Sequence, residues 1–92
     1  MTPAERAEQN VRLAAGLYEA RETLRTLWGA GYEERIACHR RYIRAAMEMY
    51  KCRPLEASMR IIKGAKEEGE DLGAGLKMAL LAASVDVAEG KT

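Results

Sequence analysis

The stretch Ile36-Ala-Cys-His-Arg-Arg-Tyr-Ile-Arg-Ala-Ala-Met-Glu-Met-Tyr-Lys-Cys-Arg53 is at once the most basic segment of the chain and one with apolar residues on more than one side. On a helical wheel it carries two seams. Tyr32, Ile36, Ile43, Met47 and Tyr50 make one, and Cys38, Tyr42, Ala45, Met49 and Cys52 make the other at heptad-like spacing. One seam can face a preceding helix, and the other is then available to later helices or to a second copy. The strip left between them holds Arg40, Arg44 and Lys51, with Arg41 and Glu48 at its edge. This helix is expected to run over 32–52 and to lie at the centre of the fold.

Upstream, Thr2-Pro3-Ala4-Glu5 places a capping hydroxyl, a proline at the first helical position and a glutamate at the third, a capping-box start. Leu13, Leu17, Ala20, Leu24, Leu27 and Trp28 follow as an apolar stripe, and Gly29-Ala30-Gly31 supplies residues free to adopt positive φ. The first helix is therefore expected over 3–28, roughly 39 Å long and overhanging its shorter neighbours.

Downstream, Arg53-Pro54 stops the central helix, because the residue before proline avoids the α region, and proline opens the next helix over 54–68. Leu55, Met59, Ile62 and Ala65 are its buried face, and Gly69 its end. Glu56 with Arg60 and Lys63 with Glu67 are i,i+4 pairs that give part of the basic charge a local partner. Asp71 is the candidate cap of a last helix over 72–88, preferred to one long helix with loose glycines. Leu72, Leu76, Ala79, Leu80, Ala83 and Val87 give that helix one face, and Met78, Leu81 and Val85 the opposite one, so it is expected to be buried on two sides or to sit in a subunit interface. The fold class is all-α: a compact antiparallel bundle of three to four helices in a single domain over 1–92. Ninety-two residues bury only a small core, so association into a homo-oligomer, most simply a dimer, is expected.

Charge is divided unevenly along the chain. Residues 1–34 carry four arginines against six glutamates, residues 35–66 nine lysines and arginines against two glutamates, and residues 67–92 two lysines against six acids. A basic middle points to an anionic partner. The competing reading folds the acidic C-terminal third back over it. The like-charge pair Arg21 and Arg25, one turn apart, is read first as two arginines snorkelling beside the core, and second as flanking an anion or a carboxylate, which the Glu67 to Asp71 region could supply.

Function is read first as non-enzymatic binding of an anion, either nucleic acid or a phosphate-bearing small ligand such as a nucleotide. Arg40, Arg41, Arg44 and Lys51 would make the phosphate contacts, Tyr42 would stack, and His39 would lie alongside. The alternative is a protein-protein adaptor or inhibitor docking an apolar helix face. The glycine and small residue of a helix-turn-helix do not fall at compatible positions around Arg53-Pro54. Adjacent Cys38 and His39 diverge by about 100° on a helix, which disfavours a nucleophile pair. Two cysteines and one histidine match no zinc spacing, so no catalytic residue, cofactor or metal is expected. Without a signal peptide or a membrane-length apolar run, the chain is read as cytoplasmic, with reduced thiols and no membrane partner.

Overall fold

A computed structural model describes residues 1–91, the side chains of residues 13 and 14 excepted. The described residues form α1 (Pro3–Trp28), a single 3-10 turn (Gly29–Gly31), α2 (Tyr32–Tyr50), α3 (Pro54–Glu67) and α4 (Ala74–Ala88), and no strand is found among them. The protein is all-α.

Local chemistry explains where the helices start and stop. Thr2 is extended and its hydroxyl accepts the Glu5 amide at 3.2 Å, so α1 begins at its capping box. Gly29 ends it at φ 54°. The amides of Gly69 and Glu70 close onto the carbonyls of Lys66 and Ala65, a glycine-based C-terminal lock that α4 repeats through Gly90 and Lys91. Three expected boundaries move. The central helix ends at Tyr50 rather than 52, because Lys51 turns into the left-handed region and lets the Cys52 amide return to the Met47 carbonyl. The third helix ends at Glu67 rather than 68. The last begins at Ala74 rather than 72, with Gly73 at the cap position, so Asp71 caps nothing and lies near Lys77 instead.

The centre of the fold is α4 rather than α2. It contacts α1, α2 and α3 alike, and the whole run from Ala82 to Val87 is buried. Ala79, Ala82, Ala83 and Ser84 are small enough for three neighbours to approach around one axis. The Ser84 hydroxyl is satisfied by the Leu81 carbonyl of its own helix at 2.6 Å. Against α4 pack Leu24 of α1, Tyr32, Ile36, Ile43 and Ala46 of α2, and Ala57 of α3. Leu27, expected on the buried stripe of α1, is 71% exposed, and Leu13 lies outside the described side chains. Met59 is likewise exposed, the buried face of α3 being formed by Ala57 and Ser58.

The first half of α1 projects from this core. Every described residue from Pro3 to Gly16 is exposed. No helix of the described residues is long and apolar enough to cross a membrane.

Candidate functional site

The expected arginine strip divides when the chain folds. Arg40 sits one turn beyond Ile36 and its side chain turns inward, where it is buried. Its Nε and Nη2 donate to Asp86 Oδ2 at 3.1 and 2.8 Å, and Nη2 also reaches Glu33 at 2.9 Å. Asp86, wholly buried in α4, further accepts the Tyr32 hydroxyl at 2.8 Å and Arg21 Nη1 at 3.4 Å. Arg21 is shared with Glu89 at 2.6 Å, and Arg25 lies 3.9 Å from Asp86. The repulsion between Arg21 and Arg25 is thus relieved by Asp86, so the carboxylate of the second reading is present but does not come from the Glu67 to Asp71 region. Arg21 and Arg25 also lie over the rings of Tyr18 and Tyr32, at 5.0 and 5.2 Å.

The electrostatics of this cluster follow from its contacts. Burial pushes the Asp86 carboxyl up, but the Tyr32 and Arg40 hydrogen bonds, with the charge of Arg40, outweigh it and hold the group below its ordinary value. Burial and the bond to Asp86 push the Tyr32 hydroxyl up to about 12. Asp86 is therefore an ionised acceptor with both oxygens engaged. That makes it a structural counter-ion, poorly suited to abstracting a proton.

The rest of the strip stays outside. Arg44 donates to the Lys91 carbonyl, Arg41 approaches Cys38 Sγ at 3.3 Å, and Lys51 lies 3.2 Å from Glu48. Such exposed pairs hold their side chains loosely.

Tyr42 and His39 belong to a different place, a groove of 710 Å³ between α2, α3 and the start of α4. The second seam of the central helix is its wall. Cys38, Tyr42, Ala45 and Met49 line it, facing Ile61 and Gly64 of α3, with Leu76 and Leu80 of α4 at the back. Tyr42 and Met49 remain 56% and 67% exposed, and Tyr50 and Leu76 are also open to solvent. The groove has charged ends. Arg60 lies over the Tyr50 ring at 5.2 Å near the α2–α3 corner, and Glu68 and Glu70 stand at the far end with Cys38. His39 is half-buried in this wall and burial pushes its pKa down, favouring the neutral ring. Among the described residues no cluster of His, Cys, Asp or Glu is arranged to hold a metal ion.

Sequence reasoning missed Tyr32 and Asp86 as partners of the arginines. The available signal was Asp86 itself, one carboxylate inside an otherwise apolar helix beyond Lys77. Comparison of the chain with known protein families, curated proteins and solved structures finds no match.

Proposed function

We propose that this chain is a protein-docking module whose α2–α3–α4 groove receives an amphipathic helix. One observation carries the reading: among the large apolar side chains left open to water, four, Tyr42, Met49, Tyr50 and Leu76, line a single concavity. Scattered exposed apolar residues need no explanation, but a cluster of them around a groove marks an interaction surface. Tyrosine and methionine suit the task, since both are enriched at protein interfaces and methionine adapts to irregular partners. An incoming helix would place residues at i, i+3, i+4 and i+7 along the groove, the helix-in-groove mode of recognition.

The anion-binding reading is the weaker proposal. Arg41, Arg44 and Lys51 are exposed and could meet phosphate, but Arg40 has its donors turned to Asp86 and Glu33.

A photo-reactive phenylalanine analogue substituted for Tyr42 tests the docking reading in the cell. The expected result is a protein adduct that disappears when Met49→Asp is added and that forms again at high salt when the purified partner and this chain are mixed, because apolar docking is weakly screened. An adduct indifferent to Met49→Asp, or nucleic acid captured in place of protein, would sink the proposal.

A further inference from the structure

Resting on the groove reading, we infer that the groove is occupied by the projecting half of α1 from a second copy of this chain, so that two copies exchange arms. Residues 3–16 of α1 form about 21 Å of helix with no described residue buried, and an isolated helix of that length is marginal in water. The arm continues the packed half of α1 and needs no new nucleus, but it gains tertiary packing only where something covers it. The groove wall from Cys38 to Tyr50 is about 18 Å long, a close match.

The chemistry of the arm fits as well as its length. Ala4, Ala7 and Val11 lie on one face, small enough to let the helix settle between Tyr42, Met49 and Leu76, and Val11 is 69% exposed. Glu8 and Arg12 lie beside that face, acid first and base last, whereas Glu5 and Arg6 both project more than about 120° from its centre, and Glu5 is engaged with Thr2 in the capping box. The groove offers the opposite order, Arg60 near the corner and Glu68 with Glu70 at the far end. Docking with Glu8 toward Arg60 sets Arg12 toward Glu68 and Glu70 and brings Val11 near Cys38. The Glu8–Arg12 pair within the arm is exposed, at 2.9 Å, and can be exchanged for these contacts. Under two-fold symmetry each arm fills the partner's groove, which leaves no open end.

Two measurements on the full chain test the inference. Sedimentation velocity should show a dimer, with dissociation made more than about tenfold easier by Val11→Asp, since a charge would enter an apolar groove. Arg12→Glu should weaken the dimer by about twofold to fivefold, and Arg12→Glu combined with Glu68→Lys and Glu70→Lys should restore it. In a Cys52→Ser background, oxidation of Val11→Cys should link it to Cys38 of the other copy on the order of tenfold faster than Ala4→Cys does, because a disulfide needs the two Cβ atoms within about 4.5 Å. A monomer at every concentration, a dimer indifferent to Val11→Asp, or equal linking rates would each overturn the inference. The photo-reactive groove separates the two failures. A monomeric chain whose Tyr42 position still captures another protein keeps the docking reading and loses only this occupant, and one that captures nothing loses both.

Discussion

Arg40 of α2 and Asp86 of α4 share two hydrogen bonds, 2.8 and 3.1 Å, across a space that neither side chain opens to solvent. Forming such a pair is close to neutral in free energy, because desolvation offsets attraction, whereas removing one partner leaves a charge buried alone. Asp86→Ala would remove the only buried acid of the cluster and leave Arg40 and Arg21 to the more exposed Glu33 and Glu89, and it is expected to cost about 3–5 kcal/mol in urea unfolding. Replacing the pair at once, by Arg40→Met with Asp86→Leu, should cost much less than the two single changes added. Additive losses would show that the two residues act separately.

The same cluster gives stability a pH profile. Asp86 has a folded pKa below its ordinary 3.8, so its contribution is present above that value and is lost as pH falls through the folded one. His39, lowered from 6.5 by burial, adds an earlier step: below 6.5 the unfolded chain takes up the proton first, and stability begins to fall there. Tyr32 acts at the other limit. Its hydroxyl is raised from 10.0 to about 12, so its contribution is complete below 10 and is lost as pH rises to about 12. Urea midpoints should therefore be flat between 6.5 and 10 as far as these groups decide it. His39→Gln should remove the upper acid step, and Tyr32→Phe the alkaline loss between 10 and 12. An alkaline limb unchanged in Tyr32→Phe would mean that the hydroxyl is not held by Asp86.

What could be read in the sequence was what neighbouring residues decide among themselves. Thr2 with Glu5, Gly29 and Gly69 act within one turn of chain, and each sits where its chemistry places it. Asp71 satisfied the same local rule as a cap, but the helix starts two residues later, behind Gly73. Arg40 was illegible for another reason. It lies at the border between the Ile36 face and the polar strip, and its direction is chosen by a carboxylate 46 residues away. The like charges of Arg21 and Arg25 left room for a carboxylate between them but fitted snorkelling arginines as well, and nothing local pointed to Asp86. The groove was half legible: the seam through Cys38, Tyr42, Ala45 and Met49 was visible, but α3 and α4 leave it partly uncovered, which periodicity does not reveal.

Lys51 is the single described non-glycine residue with positive φ, at φ 53° and ψ 51°. A side chain in the left-handed region costs about 1–2 kcal/mol, and glycine avoids most of that while losing more freedom on folding. Lys51→Gly is therefore expected to stabilise the protein by about 0.5–1 kcal/mol, read as a raised urea midpoint at unchanged slope. The ion pair lost with Glu48 is exposed and does not change the sign. Lys51→Ala, which keeps the strain, should show no gain.

Gly64 separates stability from docking. It lies within α3 and lines the groove, and a Cβ built there meets nothing within 4 Å. Helix propensity alone then favours Gly64→Ala by about 0.5–1 kcal/mol, because alanine loses less backbone freedom on folding and no neighbour has to move. Where the groove is the docking site, the same methyl group stands in the path of the incoming helix. Gly64→Ala should thus raise the urea midpoint while weakening the interaction captured at Tyr42, opposite signs that a general loss of structure cannot produce. Gly75→Ala, in the first turn of α4 and equally unobstructed, is the control: it should leave docking unchanged. If Gly64→Ala stabilised the chain and left docking intact, the occupant would have to lie away from α3, against the α2 and α4 walls alone.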